Sequence, residues 1–489
     1  MIWNREELEQ AVVALTRACQ ARWGSIAIVL ILWQWGLRNR EDPFSSIVDK
    51  LWHPLVRTMA TMELDISPEA VSTVALCKAR QGVGTDAFEY LQQIATGKHR
   101  KQHAELILYK GYRLYAVDGS DLPLCSNEAL TAAFGRPSST GKHKSPPQAT
   151  FTILEFVNTG WITDYQLSAW DASELGQSKS LTAGLGQGDL LLADRLYFDP
   201  HWYADLCSRE VKFLFRLNCN RHQSLTSESQ QRIKEQRAKG NVDCVVDLRV
   251  RTSAGSSTYT VLKNLRYIEI KCPGTKTLYF ITNLDLHDLL TLEAAELYRM
   301  RWEIETNLRY FKGQDHLPVV RSRRQDTVEQ EVMLHVLAHN SVRFIQSEAC
   351  LAQEAKQVEQ TTGTTEYHNQ HDPGITPEPA EKWTAKADLH SGPLRPIDIQ
   401  FRRTVDVILG AILAVLLEPE RAAPEHWQRL LTKIATFKIM AKPGRSYPRR
   451  GRKYNKGKRN KGNAKAQKRR AAARRKRKET GKQKPKRES

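Results

Sequence analysis

Three acidic side chains stand where they could bind divalent cations together. Asp118 follows a short β-type run at residues 112–117, and Asp194 follows a very apolar run. Side chains just beyond neighbouring strand ends meet in the crevice of an α/β sheet. Glu305, in a helical pattern at 289–312, offers a third carboxylate. Such a set predicts a site for two divalent ions, which would activate water or a hydroxyl and stabilise a leaving oxygen.

The helical pattern at 289–312 also places polar side chains on one face. At about 100° per residue, an arc of roughly 60° over about 21 Å of helix holds Tyr298, Arg301, Glu305 and Lys312. Apolar residues occupy the adjacent arc, which is expected to pack against the sheet. Basic side chains beside a metal site can hold DNA phosphates in position without reading bases. Tyr298, Arg301 and Lys312 are therefore predicted to face DNA.

Each of the two aspartates could instead have a purely structural role. Asp118 precedes Gly119, and an Asp-Gly pair is usually a turn former. Asp121 is a second carboxylate close to it in the sequence. Asp194 could be the first, capping residue of a helix. The site therefore requires that both aspartates lie at one edge of the sheet.

The helical residues have alternatives as well. Glu305 could form an ordinary ion pair with an arginine one helical turn away, and Glu303 competes with it as a ligand. The basic loop at 142–144 is more typical of a solvated charge cluster than of a DNA contact. His335 and His339 share a helical face and are expected to serve packing rather than metal binding.

Positive charge is concentrated at one end of the chain. The 489 residues include 74 Lys and Arg and 54 Asp and Glu, a net charge of +20. Residues 441–489 hold 23 of the basic residues and two acids, which leaves the rest close to neutral. A polycation with few large apolar residues is expected to be disordered. It favours nucleic acid as a partner, although a solubility tail is the simpler alternative.

Composition excludes several classes of protein. The apolar stretches at 26–33 and 407–417 are far shorter than the ~20 residues of a membrane-spanning helix. The first residues lack the basic and apolar regions of a secretion signal. The eight cysteines form no CxxC pair, which argues against a disulfide scaffold or a zinc site. We expect a cytoplasmic protein that does not enter a membrane.

Strands and helices alternate around the acidic residues. The order of three strands, a helix, a strand, a helix and a strand predicts an α/β sheet with an antiparallel edge. The predicted division is a helical, DNA-binding region (1–108), the first part of the core (109–218), a β-rich insertion (219–285), the second part of the core (286–348), a polar linker (349–396), C-terminal helices suited to dimerisation (397–440) and the basic tail (441–489).

The spacing Tyr298-x2-Arg301-x3-Glu305-x6-Lys312 resembles the YREK signature of DDE transposases of the insertion-sequence-four family. Residues 70–345 carry the resemblance. The shorter motifs that fit the family are Ala79-Arg80-Gln81, Asp118-Gly119-Ser120 and Asp194-Arg195-x-Tyr197. The four-residue signature is specific, whereas either aspartate motif alone would be weak.

The resemblance implies a ribonuclease-H-like catalytic core interrupted by the β-rich insertion. It implies that Asp118, Asp194 and Glu305 are catalytic and bind two Mg²⁺ ions, with Mn²⁺ as a substitute. The implied reaction cuts double-stranded DNA at the element's terminal inverted repeats and joins the 3′-hydroxyls to target DNA.

A homodimer in a synaptic complex, held at the bacterial nucleoid through DNA, would fit that reaction. The alternatives are a catalytically inactive, transposase-derived basic DNA-binding protein and a nuclease without strand transfer.

Overall fold

The computed structural model describes residues 6–7, 10, 52–53, 56, 72–137, 145–218, 224–240, 242–252, 258–271, 277–312, 320–365, 394–408 and 424–439. All of them belong to one compact unit. The basic loop at 142–144, the tail at 441–489 and most of the N-terminal 71 residues lie outside the described residues. The expectations for those segments stay predictions.

Nine strands form one sheet. They are β1 (Leu108–Tyr109), β2 (Tyr112–Pro123), β3 (Gln148–Phe156), β4 (Trp161–Ala169), β5 (Asp189–Ala193), β6 (Lys212–Arg216), β7 (Val242–Arg251), β8 (Tyr259–Ile270) and β9 (Leu278–Thr282). Their order is β4-β3-β2-β5-β6-β9-β8-β7, with β1 paired to β2. β2, β3 and β4 are antiparallel, whereas β5 and β6 run parallel to β2. The predicted α/β sheet with an antiparallel edge is confirmed.

The α-helices of the described residues are α1 (Thr73–Gly82), α2 (Asp86–Gln102), α3 (Glu128–Phe134), α4 (Glu174–Leu181), α5 (Pro200–Ser208), α6 (Ser227–Ala238), α7 (Thr291–Met300), α8 (Trp302–Lys312), α9 (Gln325–Thr365) and α10 (Pro424–Ala435). Side-chain caps start several of them; Ser173, for example, accepts the N–H of Gly176 to begin α4. No helix in the described part of the chain is long and apolar enough to cross a membrane.

Helices cover both faces of the sheet because its central strands are apolar on both sides. Leu190 and Leu192 of β5 face α7 and α8, and Leu191 between them faces the opposite way, toward α2 and α5. α9 packs along the edge strand β4 and contributes apolar side chains to both layers. The carboxyl ends of β2 and β5 are thereby held between two packed layers.

Two sequence expectations about strands need correction. β2 does not turn at Asp118, because it stays paired with β3 as far as Pro123. β8 is continuous, although Asn264 has a left-handed conformation (φ 61°) beside an irregularity in its pairing with β7. The strands of the predicted insertion also continue the main sheet, since β9 pairs with β6.

Two expectations about helices also change. The predicted helix at 289–312 is broken at Arg301 into α7 and α8. The predicted linker at 349–396 begins too early, because α9 continues to Thr365. The first two residues of the predicted linker, Ala349 and Cys350, belong to α9 and are buried against Ile399 and Leu431. Packing therefore stabilises the helix at this point. Residues 366–393 lie outside the described part of the chain.

Candidate active site

The register of the two central strands brings the two aspartates together. β2 and β5 are parallel, and their last paired residues are Ala116 and Leu192. Asp118 and Asp194 each lie two residues further along, so they extend from the same face of adjacent strands. β5 ends at Ala193. The strands therefore part at the aspartates and leave the crevice expected at this edge.

Asp194 is held as a carboxylate. The hydroxyl of Tyr298 donates a hydrogen bond to its Oδ1 at 2.8 Å. Burial alone would raise the pKa of Asp194, but the N–H of Arg195, the charge of Arg301 and the Tyr298 hydroxyl outweigh it and lower that pKa. Asp194 precedes a short 3₁₀ helix but makes no side-chain capping bond. Its role as a mere helix cap is therefore excluded.

Arg301 lies between the other two carboxylates. At the break between α7 and α8 its N–H bonds the carbonyl of Tyr298, and its side chain is 2% exposed. Nη1 donates to Asp118 Oδ2 at 3.2 Å, and Nη2 donates to Glu305 Oε1 at 2.7 Å. We call Asp118, Asp194, Arg301 and Glu305 the crevice group; it joins the central strand and the end of its parallel neighbour to the helix that covers them.

The crevice group carries more negative than positive charge. Burial raises the pKa of Asp118 to about 6, against the charge of Arg301 and the N–H of Gly119, with Glu174 and Glu305 adding to the rise. Burial opposes the charge of Arg301, yet its pKa is raised because Tyr298, Glu305 and Asp118 stabilise the cation. Three carboxylates around one guanidinium favour a further cation.

A fourth carboxylate, which no sequence pattern revealed, lies beside Asp118. The hydroxyl of Tyr197 donates to Glu174 Oε1 at 2.6 Å and lies 3.4 Å from Asp118 Oδ1. Glu174 reaches this position because Gly119 has no side chain; a Cβ there would lie 2.5 Å from Glu174 Oε1. The Asp-Gly pair therefore leaves room for the Glu174 carboxylate and does not form a turn. In the sequence, only Gly119 indicates that another group lies close to the strand here.

The donor chemistry of the crevice fits Mg²⁺ or Mn²⁺. Carboxylate oxygens are the ligands that these hard cations prefer. Arg301 Nε is buried and has no hydrogen-bond partner among the described residues, so this guanidinium is not fully paired within the site. In this arrangement no group of three His, Cys, Asp or Glu within the described ranges could hold a metal ion. A divalent cation would therefore compete with Arg301 for Asp118 and Glu305.

The competing carboxylates lie elsewhere. Asp121 is exposed, and its odd spacing from Asp118 along β2 places it on the other face of the sheet. Burial raises the pKa of Glu303, and the charges that act most strongly on that pKa are those of Arg395, Asp398 and Arg343 rather than those of Asp118 or Asp194. Neither residue joins the crevice group.

Two of the three side chains predicted to face DNA are not on the surface. Tyr298 is 3% exposed and Arg301 2%, and both contact carboxylates of the crevice. Lys312 ends α8, and its side chain lies outside the described residues. The geometry thus assigns Tyr298 and Arg301 contacts with carboxylates.

Two further sequence features have structural contacts. Arg80, from the first family-like motif, donates to Gln330 Oε1 at 2.8 Å and Ser322 Oγ at 3.0 Å, which fastens α1 to the start of α9. His339 is buried, with its Nε2 2.9 Å from the carbonyl oxygen of Gly160. The expectation that His339 serves packing is confirmed.

Comparison with known proteins identifies a family that the central part of the chain matches. Residues 109–341 match the family described as the transposase DDE domain. The chain is 24% identical over 320 residues to the transposase InsG for insertion sequence element IS4 of Escherichia coli (strain K12). That match covers 63% of this chain and 66% of the relative, so it spans slightly less than two thirds of the relative's length.

Among solved structures, the piggyBac transposase synaptic complex with hairpin DNA is similar at a TM-score of 0.41 and 10% identity, over 91% of this chain and 85% of that one. That likeness is too distant to bear on the site. The matched range includes the positions of Asp118, Asp194 and Glu305. Residues 109–341 therefore match a transposase DDE domain, and the chain is similar to a transposase of the insertion-sequence-four type.

Proposed function

We propose that the protein cuts DNA at the ends of an insertion sequence and transfers the strands to target DNA, with Mg²⁺ as cofactor. The observation that carries this proposal is the crevice group. Asp118 from a central strand and Glu305 from the covering helix pair with one guanidinium, whose charge also lowers the pKa of Asp194 on the adjacent parallel strand. An ordinary surface ion pair between Arg301 and Glu305 would not recruit a strand-borne aspartate into the protein interior.

The fold supports the same proposal. The part of the sheet ordered β4-β3-β2-β5-β6 has three antiparallel strands followed by two that are parallel to β2. We assign it to a ribonuclease-H-like core, in which β7, β8 and β9 are an insertion that continues the sheet. In that assignment the first two carboxylates come from the central strand and its parallel neighbour, where the sheet opens.

The residues divide into ligands and positioning groups. Asp118, Asp194 and Glu305 would hold the two metal ions, which supply Lewis-acid activation of the attacking and leaving oxygens. Tyr298 holds Asp194 by its hydroxyl, and Arg301 holds the other two carboxylates apart from one another. No protein side chain is needed as a nucleophile, because water and DNA 3′-hydroxyls serve.

The partners follow from that reaction. Both ends of an element must be cut and joined together, so we propose a homodimer that holds terminal inverted repeats and target DNA in one synaptic complex. Lys312 and the basic tail at 441–489 would bind phosphates. The protein would then act in the bacterial cytoplasm, at the nucleoid.

The test is cleavage of a duplex that carries the element's own end. Wild-type protein is expected to cut it with Mg²⁺ or Mn²⁺ and not after chelation. Glu305→Gln is expected to lose more than the roughly 10–100-fold that removal of an outer partner of a metal ligand costs. Glu303→Gln, two residues away and outside the crevice group, is the matched control and is expected to cut as wild type does. Equal cutting by wild type and Glu305→Gln would refute the assignment.

One observation favours the alternative of an inactive DNA-binding protein. Arg301 already bonds two of the proposed ligands, and a buried guanidinium could hold them permanently in place of a metal. That alternative predicts binding of the element end without cutting by wild type, at any metal concentration.

A precut end that is joined to a target by wild type would separate a transposase from a nuclease that only cuts.

A further inference from the structure

A pocket of about 410 Å³ lies away from the crevice group, between the start of α5 and the β7–β8 ribbon. Phe198 and His201, from the start of α5 and the residues just before it, line this pocket. Arg249, Arg251 and Tyr259 line it from the ribbon. The lining thus combines two arginines, a histidine and aromatic rings, which are the side chains that bind nucleic-acid strands.

The ribbon presents its arginines in a fixed arrangement. Arg251 pairs with Tyr259 across the two strands, so their side chains share a face, and Arg249 lies two residues along the same face. Val250 between them is buried on the other face. The guanidinium carbons lie 5.7 Å (Arg249) and 5.9 Å (Arg251) from the Tyr259 ring centroid. A guanidinium packed on a ring can still offer its N–H edge to a phosphate.

The acidic residue of the pocket is already engaged. Asp199 accepts a hydrogen bond from Lys179 Nζ at 2.6 Å and caps α5 through the N–H groups of His201 and Trp202. Those three donors lower the pKa of Asp199, although burial opposes them. Its charge is therefore balanced within the fold, by Lys179 and the start of α5.

The pocket is close enough to the crevice to share one DNA molecule with it. Phe198 is four residues after Asp194, so their Cα atoms are at most about 14 Å apart. One turn of duplex is about 34 Å long. β9 pairs with β8 only at residues 266–270, so the ribbon that carries the arginines extends past it.

We propose that this pocket binds the phosphodiester backbone of the DNA whose scissile bond lies at the crevice, with Arg249 and Arg251 as the phosphate-contacting residues. The proposal rests on the function proposed above and adds a second anchoring point for the same strand. Tyr259 is a positioning residue, because its ring holds both guanidinium groups. His201 also lines the pocket and completes the basic lining.

The experiment measures affinity of the full chain for the element-end duplex by fluorescence anisotropy as salt is raised. Two phosphate contacts contribute about 1.8 to the slope of log K against log salt, so Arg249→Gln/Arg251→Gln is expected to flatten the slope by about that much. At 0.1 M salt the same difference corresponds to roughly 60-fold weaker binding. Tyr259→Phe, which keeps the ring, is expected to bind as wild type does, and Tyr259→Ala to weaken binding.

Arg402→Gln/Arg403→Gln is the matched control: both arginines are exposed, and Arg403 also packs on an aromatic ring, that of Phe437. It removes the same charge and is expected to change the slope far less. An equal slope change in both double variants would overturn the proposal in favour of non-specific charge, as would an unchanged slope in Arg249→Gln/Arg251→Gln. If wild type cuts the duplex while either of these two results is obtained, only the pocket assignment is wrong and the proposed function stands.

Discussion

Two groups of ionisable side chains lie on the same face of the sheet, and α8 contributes to both. The crevice group has side chains that reach solvent: Asp118 is 15% and Glu305 25% exposed. Glu155 of β3, Asn307 of α8 and Arg343 of α9, which we call the closed group, are at most 1% exposed. Glu155 pairs with Ala116 across the strands, two residues from Asp118. Each group therefore combines an acidic side chain with an arginine. The crevice group lies at an opening, and the closed group lies in the core.

The two groups differ in how their polar atoms are satisfied. In the closed group Asn307 Nδ2 donates to both oxygens of Glu155, at 3.1 and 3.0 Å, and its Oδ1 accepts a hydrogen bond from Arg343. In the crevice group one guanidinium is shared by two carboxylates and a third is held by a tyrosine. An amide links the carboxyl and the guanidinium of the closed group within the core, whereas an added cation could reach the carboxylates of the crevice group. Access to solvent, rather than charge alone, distinguishes the two groups.

The largest expected effect on stability is at the centre of the closed group. Asn307→Leu removes the bridge between Glu155 and Arg343 and leaves both buried without those bonds. We expect the free energy of unfolding to fall by about 3 kcal/mol. Thr306→Ala, next to it on α8 and partly exposed, is the control and should lie within about 0.5 kcal/mol of wild type. Urea denaturation measures both; a loss under about 1 kcal/mol for Asn307→Leu would contradict the comparison.

The next effect is the pH dependence of the same group. Burial raises the pKa of Glu155 to about 8, against the Asn307 hydrogen bonds and the charge of Arg343. The folded protein then binds this proton more tightly than the unfolded chain does, so Glu155 contributes stability below about pH 4.5 that is lost as pH rises toward 8.

We expect the unfolding free energy of wild type to fall relative to that of Glu155→Gln across this range. Denaturation at about pH 5 and about pH 8 measures the difference. Parallel pH curves for the two proteins would show that Glu155 is charged in the fold.

Some of this molecule could be predicted from the sequence. The hairpin of β3 and β4 turns at Asn158-Thr159-Gly160, and Gly160 has the positive φ of 67° that its type allows. The apolar run of β5 predicts a strand that ends just before Asp194. This could be predicted because the composition and the length of the run are properties of the local sequence. The proximity of Asp118 to Glu305 followed from strand ends and helix spacing, although their role as metal ligands stays a prediction.

The rest depends on contacts between distant residues. The segment 289–312 contains neither Gly nor Pro, so local propensity favours one helix. The break at Arg301 instead accompanies ion pairs with Asp118, 183 positions away, and with Glu305. Likewise, β2 continues past Asp118 only because β3 pairs with it. Glu174 was missed because nothing near it in the sequence shows that Gly119 will lie beside it.

The smallest expected effect tests that close approach. In Gly119→Ala the new Cβ would stand 2.5 Å from Glu174 Oε1, and the flexible glutamate can move at little cost in stability. Moving it breaks the Tyr197 hydrogen bond that links Glu174 to Asp118. We expect cleavage of the element end to fall by about tenfold, as for loss of an outer partner of a metal ligand, with unfolding changed by less than about 1 kcal/mol.

If Glu174 carries this effect, Gly119→Ala will cost nothing more once Glu174→Ala is present. Equal losses in the two backgrounds would mean that the methyl group disturbs Asp118 directly and that Glu174 is only a neighbour of the site. The double-mutant cycle thus decides whether the crevice works with three carboxylates or with a fourth that keeps Asp118 in place. The closed group does not depend on a further carboxylate in this way, because its partners are all in the core.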